Sequence, residues 1–358
     1  MRRTLIRPTG FVDSPFGNDG KVARLAGGLN WFSAVELIEV DGDSRVSAEL
    51  LPVVGLEARF DDDLQRQWQA LTSPRPALQL GERTIRLDQP QVMGIVNVTP
   101  DSFSDAGKLE DPAAAASAGA EMAAGGAAII DVGGESTRPG AKPVWEGDEI
   151  ARIAPVIQQL ASGGAAVSAD TRKADVMAAA IEAGAQMMND VSALTYDDRS
   201  AQVVATAGIP VVLMHHQGMP ETMQHDPRYD DVLVEVYLWL EERIAAAEEA
   251  GITRDRILVD PGFGFGKNVG HNLELMNGLA VLHSLGCPIV VGASRKRTIG
   301  ALSGEVPVED RLGGSIAFAL KAVEQGAQIV RVHDVPETVQ ALRVWRGLRD
   351  QALTPRTA

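Results

Sequence analysis

The sequence predicts an α/β protein: a (β/α)8 TIM barrel preceded by an N-terminal extension of mixed or β-hairpin character. Two observations predict it. From Val92 onward, short apolar runs alternate with amphipathic stretches rich in Ala, Glu and Leu, the pattern of a parallel sheet covered by helices. The alternation repeats eight times, the number that closes a barrel. A doubly wound open sheet is the structural alternative, because alternation by itself does not separate the two.

The predicted elements follow in order. Residues 1–90 form the extension. Trp31 to Val40 and Val46 to Leu51 flank the turn Asp41-Gly42-Asp43 and read as a hairpin. A helix is expected near Asp62 to Leu71, ended by Pro74 and Pro76, and a short strand over Thr84 to Leu87. This segment holds no chemical constellation, and a packing or capping role is expected. Residues 91–350 form the barrel, and 351–358 a tail. Its strands are expected at Val92–Val96, Ala127–Val132, Ala165–Ala169, Gln186–Met188, Pro210–Met214, Ile257–Val259, Pro288–Gly292 and Gln328–Val332. Helices are expected near 112–124, 147–161, 174–183, 199–207, 230–250, 271–285, 309–325 and 336–348. Glycines such as Gly184, Gly208 and Gly251 stand where helices should stop.

Composition narrows the function. The chain carries 33 Lys+Arg against 48 Asp+Glu, a formal charge of −15, with 45% hydrophobic residues. That is a soluble globular balance, and its sign disfavours nucleic acid and anionic membranes as main partners. A local basic pocket for a small anion remains compatible with it. One cysteine, Cys287, excludes a disulfide framework and a cysteine-rich zinc site. No apolar run approaches a membrane span. No apolar run follows Met1-Arg2-Arg3 before Pro8, so the cytoplasm is the expected compartment.

The ends of the predicted strands carry the chemistry. In order they are Asn97, Asp131, Asp170, Asn189-Asp190, His215-His216, Asp260, Ser294-Arg295-Lys296 and Arg331-Val332-His333-Asp334. A lone Asp after a strand is usually a helix cap. Polar ends on every strand of a barrel would share the face where barrel enzymes work. Arg331 and His333 alternate by two and so lie on one face of their strand. With Arg295 and Lys296 they place four potential cations on adjacent strand ends, in the part of a barrel that often holds phosphate. Gly262-Phe-Gly264-Phe-Gly266 is neither a dinucleotide fingerprint nor a Walker loop. It suits close approach of backbone to a flat ligand, with one phenylalanine in the pocket and the other in the core. His215-His216 has no carboxylate spacing that would build a zinc centre. A hard cation such as Mg2+ is compatible, with Asn97 supplying one amide oxygen.

These residues resemble the dihydropteroate synthase family, the folate-pathway enzymes inhibited by sulfonamides. The motifs are Met-Gly-Ile-Val-Asn97-Val-Thr-Pro-Asp101-Ser-Phe-Ser-Asp105, Asp131-Val-Gly-Gly-Glu-Ser-Thr137-Arg138-Pro139-Gly140, Asp170-Thr-Arg-Lys173, Asn189-Asp190, Asp260-Pro-Gly-Phe-Gly-Phe-Gly-Lys267, Ser294-Arg295-Lys296 and Arg331-Val-His333-Asp334. The match runs from about Gln91 to about Leu348 and leaves residues 1–90 largely outside. The resemblance implies condensation of 7,8-dihydropterin-CH2-pyrophosphate with p-aminobenzoate by a homodimeric barrel. It implies that Asp170, Asn189, Asp260 and Lys296 bind the pterin, with Met214 packed on its face. Arg331, His333 and Asn97 would hold the pyrophosphate and its Mg2+. Thr137, Arg138, Pro139, Phe265 and Ser294 would serve the substrate loops and the p-aminobenzoate pocket. Asp101 and Asp170 would support a developing cation, and with Lys296, Arg331 and His333 they make up the catalytic set. Two alternatives share the barrel: a pterin-dependent methyltransferase module that serves a corrinoid partner, and a non-catalytic pterin-binding homologue.

Overall fold

A computed structural model describes residues 2–99, 111–136, 141, 143–218 and 222–354. The extension opens with β1 (Arg2–Val12), β2 (Ala23–Arg24), β3 (Trp31–Asp41) and β4 (Ser44–Pro52), joined in one antiparallel sheet with β3 at its centre. The expected hairpin is β3–β4, turning between Asp41 and Ser44. The sequence reading missed β1, which contains Pro8 and Gly10. Pro8 is tolerated because β1 is an edge strand, where a missing N–H disrupts no ladder, and Gly10, at φ +62°, falls at a break in the pairing with β3.

Helix α1 (Asp62–Thr72) starts where the Asp61 side chain accepts the N–H of Leu64. Its Gln67 blunts the open edge of β1, accepting from Ile6 N at 3.1 Å and donating to Thr4 O at 2.7 Å. Gln67→Leu is therefore expected to lower the urea midpoint by the equivalent of about 1–3 kcal/mol, because it strands the buried Ile6 N–H and takes a partner from the part-buried Thr4 carbonyl. An unchanged midpoint would show that this edge needs no cover.

The barrel is preceded by a hairpin of β5 (Leu78–Leu80) and β6 (Arg83–Ile85). Then follow β7 (Gln91–Asn97), α2 (Pro112–Ala124), β8 (Ile129–Gly133), α3 (Glu146–Ser162), β9 (Val167–Asp170), α4 (Ala174–Glu182), β10 (Met187–Asp190) and α5 (Ser200–Ala207). The second half comprises β11 (Val211–Met214), α6 (Val232–Glu249), β12 (Ile257–Asp260), α7 (Val269–Gly278), β13 (Val290–Val291), α8 (Arg297–Leu302), α9 (Leu312–Glu324), β14 (Ile329–Val332) and α10 (Val335–Ala352). The eight strands are parallel neighbours in the order β12-β11-β10-β9-β8-β7-β14-β13. A bridge between Val259 and Ile289 joins the two ends, so the sheet is a barrel and not an open one. One predicted helix is divided. Over 271–285, α7 stops at Gly278, where a side chain would strike Leu233 at 2.6 Å, and Leu279–Leu285 continues as a tighter 3-10 helix. All seven residues of that helix are buried, the polar His283 and Ser284 included, and those two are hydrogen-bonded to Gln325 O and Val281 O.

The barrel interior is layered with the period of two that strands impose. Met93, Ile129, Ala166, Met187, Val212, Leu258, Val290 and Ile329 make an apolar layer at the N-terminal ends of the strands. Leu78, Leu80, Ile85 and Leu87 from the β5–β6 hairpin pack into the same cluster and stopper that end. The extension is continuous with the barrel. Leu5, Ile38 and Val40 belong to the barrel's main core, Arg3 pairs with Glu241 and Arg45 with Asp231.

Candidate active site

Two residues further along each strand from the apolar layer stand Ile95, Asp131, Ser168, Asn189, Met214, Asp260, Gly292 and Arg331. One step of the pleat thus converts a greasy layer into a polar one. Asp131 is fully buried, and its Oδ2 accepts from Asn189 Nδ2 at 2.9 Å and from Arg331 Nε at 2.6 Å. Arg331 Nη2 donates to Asp170 Oδ2 at 2.6 Å, one level higher. One guanidinium therefore joins strands β8, β9 and β14. Asp260 Oδ1 accepts the Gly262 N–H at 2.7 Å, while Oδ2 lies where a side chain on Gly292 would meet it.

Charge in this layer is crowded. Burial pushes the Asp170 carboxyl up, Arg331 opposes this, and Asp131 adds to it. Burial likewise raises Asp260, against the pull of Lys296 and Arg331. Burial works to lower Arg331, and its carboxylate neighbours more than offset it. The protein around the Lys296 ammonium pushes it down to about 8, against the attraction of Asp260. Lys296 Nζ donates to Phe263 O and lies 4.6 Å from the centre of the Phe265 ring.

The two phenylalanines part as expected. Phe263 is buried in the core and Phe265 is half-buried beside Lys296. The turn that carries them needs its glycines. Gly262 has φ +67°, and a Cβ there would lie 1.8 Å from His215 O; for Gly266, at φ +63°, the clash is 2.4 Å from Gln217 O. Met214 lies under the same turn. Gly262→Ala is expected to cost about 3 kcal/mol or more, from left-handed strain plus overpacking. Gly264→Ala, whose Cβ would meet only the Lys296 Cδ at 3.3 Å, should cost about 1–2 kcal/mol from φ alone. Equal melting temperatures for the two variants would contradict this account of the turn.

At the rim, Ser294 Oγ and His333 Nδ1 are 3.1 Å apart. Asn97 ends β7, in register with Gly133. The four-cation reading needs correction: Arg295 turns aside and pairs with Asp334, its Nε donating to Oδ2 at 3.0 Å, with the backbone at φ +57°. Lys296, Arg331 and His333 remain on the site side. Asp190 also turns away. Its carboxylate accepts from Ser192 and Leu194 and supports a turn in which Ala193 and Leu194 both have positive φ. Asp101, Thr137, Arg138 and Pro139 lie outside the described residues.

Sequence reasoning passed over three buried groups. Asp131 was visible as a strand end, but a single Asp there usually caps a helix. Lys173 gathers Glu149 Oε2 at 2.6 Å, Val144 O at 2.7 Å and Glu135 around its ammonium. Lys267 lies beneath the glycine-rich turn, its Nζ 2.8 Å from His215 Nδ1. Nothing in composition or spacing separates a buried lysine from a solvated one.

Fold and polar layer together define a barrel enzyme that holds a flat, hydrogen-bonding heterocycle, and the comparisons identify which. The family model for pterin binding enzymes matches residues 93–333. Dihydropteroate synthase of Escherichia coli strain K12 is 48% identical over 262 residues, 73% of this chain and 92% of that one. The Yersinia pestis dihydropteroate synthase structure with a sulfonamide drug complex superposes with a TM-score of 0.74 at 44% identity, covering 76% of this chain and 99% of that one. A Xanthomonas albilineans dihydropteroate synthase with 4-aminobenzoic acid gives 0.73 at 48%, covering 78% and 100%. The chain belongs to the dihydropteroate synthase family of pterin-binding barrel enzymes.

Proposed function

We infer that the chain is a transferase of folate biosynthesis that condenses 7,8-dihydropterin-CH2-pyrophosphate with p-aminobenzoate, releasing pyrophosphate and 7,8-dihydropteroate. The observation that carries the reading is the buried polar layer. Asp131 Oδ1 is a buried acceptor with no hydrogen-bond partner among the described residues, and Asp260 Oδ2 faces the gap at Gly292. Together with Asn189 they match a heterocycle whose edge alternates donors and acceptors. The relative from Xanthomonas albilineans has been solved with 4-aminobenzoic acid and with 7,8-dihydropteroate.

In this reading Asp260 and Asn189 grip the pterin edge, Met214 supports its face and Lys296 reaches over it. Departure of pyrophosphate builds negative charge, which Arg331 and His333 stabilise across the rim. The CH2 carbon becomes electron-poor as the C–O bond breaks, and the neighbouring Asp170 carboxylate favours that charge, with Asp101 assigned the same part. The neutral arylamine attacks, and Phe265, Ser294, Thr137, Arg138 and Pro139 shape its pocket. No strong base is required, because the amine loses its proton after the bond forms. Among the described residues no group of three His, Cys, Asp or Glu side chains could hold a metal. Asn97, at the end of β7, would offer a Mg2+ one amide oxygen, the kind of hard ligand such an ion takes beside water and phosphate oxygens. Such an ion would neutralise charge on the leaving group.

Among the described residues no helix is long and apolar enough to cross a membrane. We propose a homodimer working in the cytoplasm, to be checked by light scattering and cell fractionation. The activity is tested by mixing both substrates with the purified chain and measuring pyrophosphate release with and without Mg2+. Release that depends on p-aminobenzoate supports the reading. Binding of the pterin with no pyrophosphate release would overturn it.

A further inference from the structure

We propose that Lys267 is a positioning residue for the pterin end of the site, folded back beneath the glycine-rich turn so that its ammonium ties the turn together behind Asp260. The proposal rests on the functional reading above and deepens it.

Lys267 is 2% exposed, and its ammonium has three N–H donors. Three acceptors surround it: His215 Nδ1 at 2.8 Å, Gly262 O at 3.1 Å and Phe265 O at 3.2 Å. Glycines 262, 264 and 266 all have positive φ, and that winding aims the two carbonyls inward, away from water. Gly262 O also accepts the Phe265 N–H at 3.1 Å, so the ammonium is a second donor there, while without it the part-buried Phe265 O would lose a donor at a cost of about 1–3 kcal/mol. His215 Nδ1 accepts from the ammonium in the tautomer that carries its proton on Nε2. The imidazole is buried, packs edge-on against Trp239 at 4.9 Å between ring centres, and is held neutral by burial and by Lys267 itself.

The contacts that the turn makes with the site all pass over this ammonium. Gly262 N donates to Asp260 Oδ1 at 2.7 Å, Phe263 O receives Lys296, and Phe265 places its ring beside the same lysine. His215 N donates to Asp260 O at 2.9 Å, so both walls of the clasp end on Asp260. A neutral donor would tie the turn at less desolvation cost than a buried cation. While it holds its proton, the amine also adds a field at Asp260, against the burial that drives that proton off. The charges facing Asp260 are Lys296, Arg331 and Lys267, and each favours its ionised form. Those facing Lys267 are Asp260 and Lys296, with the rings of His215 and Tyr229 closing the pocket. Burial lowers the Lys267 ammonium, and Asp260 works to keep it charged.

Two variants separate the parts. Lys267→Met keeps most of the length and loses both donors and charge; Lys267→Gln keeps two of the three N–H donors and loses charge. In Lys267→Met the KM for the pterin pyrophosphate is expected to rise about tenfold, with kcat within about threefold of wild type. Lys267→Gln should show a smaller rise. In both, the acid limb of kcat/KM for the pterin substrate moves to higher pH, because Asp260 loses a cationic neighbour and protonates sooner. Folding is checked by circular dichroism and melting temperature. Folded variants with wild-type KM and an unmoved acid limb would overturn the role of Lys267, as would a loss confined to melting temperature. If neither variant folds, Lys267 is a folding residue and the proposal also fails. A wild-type chain that releases no pyrophosphate from the two substrates defeats the underlying reading instead, however the variants behave.

Discussion

Arg331→Met is expected to be the most damaging single change to the barrel interior. It removes the shared cation of Asp131 and Asp170, whose contacts with it are both 2.6 Å, and leaves two buried carboxylates facing each other. Removing one partner of a buried ionic group costs about 3–5 kcal/mol. The deficit should depend on pH, with a definite sign. Burial already raises Asp170, and Arg331 holds it back. Without Arg331 its folded-state pKa rises further, so stability is retained at low pH and lost as pH climbs through the new value. Urea midpoints for wild type and variant should therefore converge as pH falls toward the carboxyl range and diverge above it. Turnover should fall as well, because Arg331 is also assigned to the leaving diphosphate. A variant as stable as wild type at neutral pH would show that Asp131 and Asp170 do not need the guanidinium.

Asp260→Asn should do the reverse, harming function and sparing the fold. The amide oxygen can still accept the Gly262 N–H that Oδ1 now receives at 2.7 Å. Removing the carboxylate relieves its burial cost but takes a partner from Lys296, Arg331 and Lys267, so the two effects oppose and the melting temperature should stay close to that of wild type. The pterin loses an ionised acceptor and meets an amide in its place. We expect kcat/KM for the pterin substrate to drop by more than about tenfold, or roughly 1.4 kcal/mol and upward. Near-normal kcat/KM would remove Asp260 from the pterin site. A large loss of stability would make it a structural residue instead.

These two outcomes separate what the sequence could and could not reveal. Asp260 and Arg331 were legible because strand–helix alternation locates strand ends, and a barrel gathers those ends on one face. The link between Arg331 and Asp131 was not legible. The two residues are 200 positions apart, and only the shear of the closed sheet brings them to one level. Arg295 misled for a related reason: its positive φ turns it toward Asp334, and neighbours in sequence gave no warning. In the extension, β1 was hidden by Pro8 and Gly10, which argue against a central strand and are harmless at an edge. The helix expected over 271–285 was read from strand–helix alternation and a stop at Gly286, which could not foresee the crowding of Gly278 by Leu233.

The stopper of Leu78, Leu80, Ile85 and Leu87 gives this molecule a blind end, and a blind vessel imposes a queue. On the proposed assignment, a ring lying on Asp131, Asn189 and Asp260 would have to arrive before anything that lies above it. On the same assignment, the joined product would back out through the mouth by which its parts came in, after the diphosphate at that mouth.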